Sequence, residues 1–95
     1  MGKAVSVIVE DMEHCYCCGR SGPQIHHIFF GTANRRLSDQ YGYVVPLCME
    51  HHTGDAGVHF NRGFDLHLKK MAQKHFEGHH GPRNEFRKIF GRSYI

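Results

Sequence analysis

Short apolar runs alternate with polar, glycine-containing stretches over the first sixty residues, and a helical periodicity takes over afterwards. Residues 4–9 (AVSVIV) are rich in β-branched side chains and predict an N-terminal strand. Residues 15–19 (CYCCG) read as a tight turn, residues 25–30 (IHHIFF) as a second strand, and residues 31–42 (GTANRRLSDQYG), dense in turn formers, as a loop. A further apolar run, YVVPLC at 43–48, contains Pro46; lacking an N–H for a central ladder, the proline puts this run at a sheet edge or a bend. Residues 49–61 (MEHHTGDAGVHFN) are polar, rich in histidine and interrupted by glycine, which suits a site better than a scaffold.

From residue 62 the period changes. Phe64, Leu68, Met71, Ala72, His75 and Phe76 recur at helical spacing over 62–77, with Gly78 as the expected stop. A second helix is expected over 82–90, with Pro82 at its first turn, Gly91 at its end and Phe86, Ile89 and Phe90 as its buried stripe. The order predicts a small α+β domain covering 1–95, with chemistry-bearing residues gathered in about 15–60 and a helical part over about 62–91.

Composition sharpens this picture at three points. A chain of 95 residues holds one modest core, so an added staple is expected. Four cysteines and ten histidines supply the means for one. Charge is asymmetric, at −2 over the first sixty residues and +5 over the remainder, which favours an anionic partner such as nucleic acid. No run of about twenty apolar residues is present, so no membrane span is expected. The start has neither the apolar length nor the cleavage site of a secretory signal, so a cytoplasmic location is expected.

Cys15 and Cys18 frame C-x-x-C before Gly19, and Cys48 and His51 frame C-x-x-H after an interval of 29 residues. Two such pairs make a Cys3His set, a standard tetrahedral donor set for structural Zn2+. On spacing alone His52 competes with His51 for the fourth position, and Cys17 is a bystander. His26 and His27 are adjacent in the expected strand and would point to opposite faces of it. A bulge or strand end near Phe29–Gly31 is therefore needed if both imidazoles are to serve one site.

The run C-x-x-C-G, then IHHI, then VPLC-x-x-HH resembles the HNH (ββα-metal, His-Me finger) nucleases over about residues 15–60. The stretch EHH…GVH and the helix FDLHLKKMAQKHFE extend the likeness toward small phage and prophage members, with the recombination-enhancement, RecA-dependent nucleases the nearest named group. The resemblance implies a zinc-stapled ββα-metal core with C-terminal helices and a metal-dependent DNA endonuclease activity. It implies His27 as the general base, His26 and His52 as ligands of a catalytic divalent cation, and His51 as the zinc ligand beside Cys15, Cys18 and Cys48. Some members add a histidine downstream, for which His59 is the candidate, seven residues after His52.

The chemistry suits these side chains. A neutral imidazole, with an ordinary pKa of about 6.5, can take a proton from water near neutrality. A divalent cation (Mg2+, Mn2+, Ni2+ or Zn2+) would neutralise charge on the phosphate and the leaving 3′-oxygen. The resemblance also implies DNA as partner, with phage DNA-processing or recombination proteins nearby. In one respect the chain departs from the family pattern. The asparagine that gives the family its middle letter falls on Tyr43, five residues before Cys48, and Asn34, Asn61 or the Tyr43 hydroxyl stand as substitutes.

Other candidates rest on charge alone. Arg35 and Arg36 could bind phosphate, and Lys69, Lys70 and Lys74 could track a nucleic-acid backbone from a solvated helix face. His67 and His75 are expected on the solvated or core-edge side of their helix, and His79 and His80 on a surface turn. The competing functional expectation is a non-catalytic zinc module that binds nucleic acid or a protein.

Overall fold

The computed structural model describes residues 5–54 and 57–95. Its elements are β1 (Gln24–His27), α1 (Thr32–Tyr41), β2 (Val44–Leu47), α2 (Met49–His52), α3 (Arg62–His79) and α4 (Arg83–Phe90). Among the described residues β1 and β2 form one antiparallel sheet of two strands, with Gln24 opposite Leu47 and His27 opposite Val44. The fold is thus small α+β, as the periodicity predicts. No helix among the described residues is long and apolar enough to cross a membrane.

Three expectations about the N-terminal half need correction. Ala4, the first residue of the expected strand 4–9, lies outside the described residues, and 5–9 are irregular. This segment is nonetheless anchored: the Val7 amide donates to the Gly42 carbonyl at 2.9 Å and the Ser6 hydroxyl to the Val44 carbonyl at 2.7 Å. The expected strand 25–30 ends at His27, because Ile28 and Phe29 turn into the core. Here the buried Ser38 hydroxyl replaces a ladder partner, accepting from the Phe29 amide at 2.9 Å and donating to the Phe29 carbonyl at 2.8 Å.

The third correction is larger. Residues 31–42 form a helix and not a loop. Asn34, Leu37, Ser38 and Tyr41 share its inward face at spacings of three and four. Its end is a Schellman motif: the Gly42 amide donates to the Asp39 carbonyl and the Tyr43 amide to the Ser38 carbonyl. Gly42 has φ 78°, and a Cβ there would stand 3.1 Å from the Val5 carbonyl oxygen, so glycine is demanded twice over.

Pro46 is accommodated as an edge position. The Ile28 amide donates to the Tyr43 carbonyl, so by alternation Ile25–Pro46 is a pair without mutual hydrogen bonds. The missing N–H therefore faces away from β1, and the Pro46 carbonyl accepts from the Tyr16 amide at 2.7 Å. That bond fastens the turn at 15–19 to β2.

The C-terminal half covers the sheet. Asn61 caps α3, its side chain accepting from the Phe64 amide at 3.0 Å. Gly78 does not stop this helix, which runs to His79 and caps at His80. The second helix runs as expected, and Gly91 closes it in the left-handed region. Phe86 and Phe90 are buried against Phe29 at ring separations of 5.5 and 4.6 Å, with Tyr43 and Phe76 completing an aromatic core. Gln73, fully buried, pins the tail: its side chain donates to Ser93 and accepts from the Tyr94 amide at 2.7 Å.

The Ser38 hydroxyl is the joint between β1 and α1. We expect Ser38→Ala to cost about 1–3 kcal/mol, since two buried backbone groups of Phe29 lose their partner, whereas the exposed Arg36→Ala should change stability by less than about 0.5 kcal/mol. Urea denaturation of the two variants checks this, and equal midpoints would contradict it.

Candidate metal centres and the cleft beside them

Cys48 begins α2, and the carbonyl of Cys48 accepts from the His52 amide at 2.8 Å, so one turn of helix follows the cysteine directly. The turn at 15–19, closed by the Gly19 amide on the Cys15 carbonyl, brings two more sulfurs to it. Donor atoms of Cys15, Cys18, Cys48 and His51 all lie within 4.8 Å of one another. The Cys18 and Cys48 sulfurs are 3.7 Å apart, and His51 Nδ1 is 3.2 Å from the Cys48 sulfur and 3.8 Å from that of Cys15. A tetrahedron with metal–sulfur bonds of about 2.3 Å has edges of about 3.8 Å, and about 3.5 Å where one donor is nitrogen. The four residues fit a metal ion such as zinc.

The local electrostatics agree. Burial opposes ionisation of Cys15, but hydrogen bonds from the amides of Cys48, Cys18 and Cys17 outweigh it and bring the thiol down to about 6. Cys17 behaves oppositely: desolvation first, then the other three sulfurs, push it up to about 11. It is a thiol at pH 7 and stands outside the donor set, as its spacing implies.

The second group is built from β1, α2 and the segment after it. Ring nitrogens of His26, His52 and His59 lie within 4.8 Å of one another, and the ring centroids are 5.1 to 5.3 Å apart. His59 arrives because the chain folds back over α2: the Val58 amide donates to the His51 carbonyl at 2.9 Å. Gly57 permits this approach, since a Cβ there would stand 2.6 Å from the His52 carbonyl oxygen. Of the histidine-rich stretch, residues 55 and 56 lie outside the described residues.

His26 is only 1% exposed and its Nε2 has no hydrogen-bond partner among the described residues. A buried polar atom without a partner costs about 1–3 kcal/mol, so a ligand is the natural account of it. Burial, then the neighbouring His52, His59, His27 and Lys69, push its pKa down to about 3, leaving the ring neutral at pH 7. His52 is lowered by burial and then by His59 and His27. Its Nδ1 donates to the Gln24 amide oxygen at 2.6 Å, which leaves the Nε2 lone pair free. Fixing a ligand's tautomer through its other nitrogen is what a second-layer partner does in metal sites. Gln24 escaped the sequence reading, although the two-residue period of a strand puts it on the same face as His26.

His27 leaves the strand on the opposite side. Its Nε2 hydrogen-bonds the Asp39 carboxylate of α1 at 2.9 Å. No bulge is needed to join the two histidines, because β1 ends at His27 and both line one cleft of about 410 Å³, together with Ile25, Phe30, Gly31, Arg35, His52 and His59. Asp39 was missed because its segment reads as a loop.

The remaining candidates separate. Arg35 lines the cleft, while Arg36 and Lys70 are exposed away from any described partner. Lys69 is not on a solvated face: it is 9% exposed, bonded to Asp65 at 2.9 Å and seated 4.3 Å over the Phe30 ring. The three residues expected to substitute for the asparagine of the HNH pattern lie elsewhere. Asn34 donates to the Phe90 carbonyl, Asn61 caps α3, and the buried Tyr43 pairs its hydroxyl with His75 Nδ1 at 3.1 Å. His79 closes α3 and is not in a turn.

Metal analysis after exhaustive dialysis should find about one tightly held zinc per chain in the wild type and in Cys17→Ser, and a large loss in Cys18→Ser. Equal losses in the two variants would contradict this donor set. A strong chelator should unfold the protein, since ions in such sites contribute about 10–16 kcal/mol of apparent binding energy to small folds. No family model matches the chain, and no curated protein or solved structure matches it either.

Proposed function

We propose that the chain is a metal-dependent DNA endonuclease of the HNH type, with a structural zinc on Cys15, Cys18, Cys48 and His51 and a divalent cation on His26, His52 and His59. The observation that carries this reading is the convergence on one cleft of three imidazoles, a histidine–carboxylate pair and an arginine. Each has a place in phosphodiester hydrolysis, and few other reactions use all of them. The sequence resemblance implies the roles of His26, His27 and His52 and offers His59 as a candidate; Asp39 and Arg35 are added by the cleft.

When bound, the divalent ion supplies charge neutralisation at the scissile phosphate and the leaving 3′-oxygen. The chain's own residues do the rest. His27 Nε2–H donates to Asp39, so the tautomer is set and Nδ1 is the atom left to take a proton from water. Asp39 braces the base from α1, doing the work the family assigns to the asparagine that Tyr43 replaces. Arg35, which lines the cleft, would pair with a phosphate oxygen through its planar fork. His26 and His52, held neutral by burial, offer lone pairs without competition from protons at pH 7. An imidazole-rich set accepts Mn2+, Ni2+ or Zn2+ at least as readily as Mg2+.

The zinc-loaded protein should nick supercoiled plasmid when Mg2+, Mn2+ or Ni2+ is added, and a chelator should stop it. His27→Ala should lose about 100-fold or more in rate, and Asp39→Asn a smaller factor. If wild type and His27→Ala are equally inert with every metal, the alternative of a non-catalytic zinc module that binds nucleic acid or protein takes its place.

A further inference from the structure

Two phenylalanines stand exposed beside the histidine cluster. Phe60 is 72% exposed and Phe30 is 43% exposed. Single exposed apolar residues are ordinary, but these two wall one cleft of about 310 Å³ with Val58, His59, Arg62 and Asp65. Phe30 is held there from one side, where the Lys69 ammonium sits over its ring at 4.3 Å. The rings of His59 and His26 lie 5.3 and 6.0 Å away, and part of the Phe30 ring is left to solvent.

This cleft is continuous with the first. Phe30 and His59 line both, with ring centroids 5.3 Å apart. One sugar separates a nucleobase from its own phosphate, so a base lodged between the phenylalanines would place that phosphate near the three imidazoles. Charge supports such an occupant. Exposed Arg62 lies at one cleft and exposed Arg35 at the other, while Lys69 engages Oδ2 of Asp65 and the buried Oδ1 has no hydrogen-bond partner among the described residues. Aromatic faces flanked by cations are the usual means of holding unpaired bases, and a paired base presents no face to them.

We propose that the cleft between Phe30 and Phe60 holds one unpaired nucleobase, which makes single-stranded or locally unpaired DNA the substrate class. This rests on the nuclease reading for its substrate, but its test does not need cleavage. The anisotropy of a short labelled oligonucleotide of mixed sequence, single-stranded or annealed to its complement, is followed with the zinc-loaded protein and no added divalent cation. The wild type should bind the single strand more tightly than the duplex. Phe60→Ala should weaken single-strand binding by about tenfold, Phe60→Trp should restore it, and duplex binding should be alike in all three proteins.

The inference is overturned if Phe60→Ala binds the single strand as the wild type does. It is also overturned if it weakens both oligonucleotides equally, or if Phe60→Trp is as weak as Phe60→Ala. A protein that shows the expected pattern but never cuts DNA would leave this cleft standing and remove the nuclease reading. One that cuts plasmid DNA while ignoring the Phe60 changes would do the reverse.

Discussion

The antiparallel register of β1 and β2 is the constraint on which the rest depends. With Gln24 opposite Leu47, the start of β1 meets the end of β2 at one corner of the molecule. The cysteine turn reaches that corner through the Tyr16–Pro46 hydrogen bond, and Cys48 caps the start of α2 there. A slip of one residue would carry His26 to the face now held by His27 and detach Gln24 from His52. Regular backbone pairing over four residues therefore decides which histidine joins which group.

The same corner explains why adjacent histidines come in twos. On a strand, neighbours diverge by half a turn, so His26 meets His52 and His59 while His27 meets Asp39. On a helix, neighbours diverge by about 100°, so His51 turns toward the sulfurs and His52 toward His26. Both of these doublets are branch points, and the two donor groups lie back to back across α2. An ion among the sulfurs would stiffen the single turn that also presents His52, so order in one group supports order in the other.

What the sequence disclosed follows from how local each signal is. The metal-donor spacing around Cys15, Cys18 and Cys48 is local to two short motifs and could be read directly, while the choice of His51 over His52 needed the resemblance or the fold. His59 was harder, and its place depends on Gly57 allowing a close backbone approach that no spacing announces. The helix over 32–41 was missed because Gly31, Asn34, Ser38, Asp39 and Gly42 look like turn residues one at a time. In the fold two of them are its end glycines, one supports Phe29 from beneath, and one braces His27. Lys69 was misjudged for a similar reason: its charge suggests solvent, and only tertiary packing provides Asp65 and the Phe30 ring.

The central claim is that two neighbouring groups hold two ions of different chemistry, and titration of the metal-free protein with Co2+ tests it most directly. A first equivalent should give the intense thiolate-to-cobalt absorption of a sulfur-rich tetrahedral site, and a second should add weaker bands from imidazole and water ligands. His52→Ala should remove the second set and leave the first intact. A single class of site, or loss of the sulfur band in His52→Ala, would contradict the account.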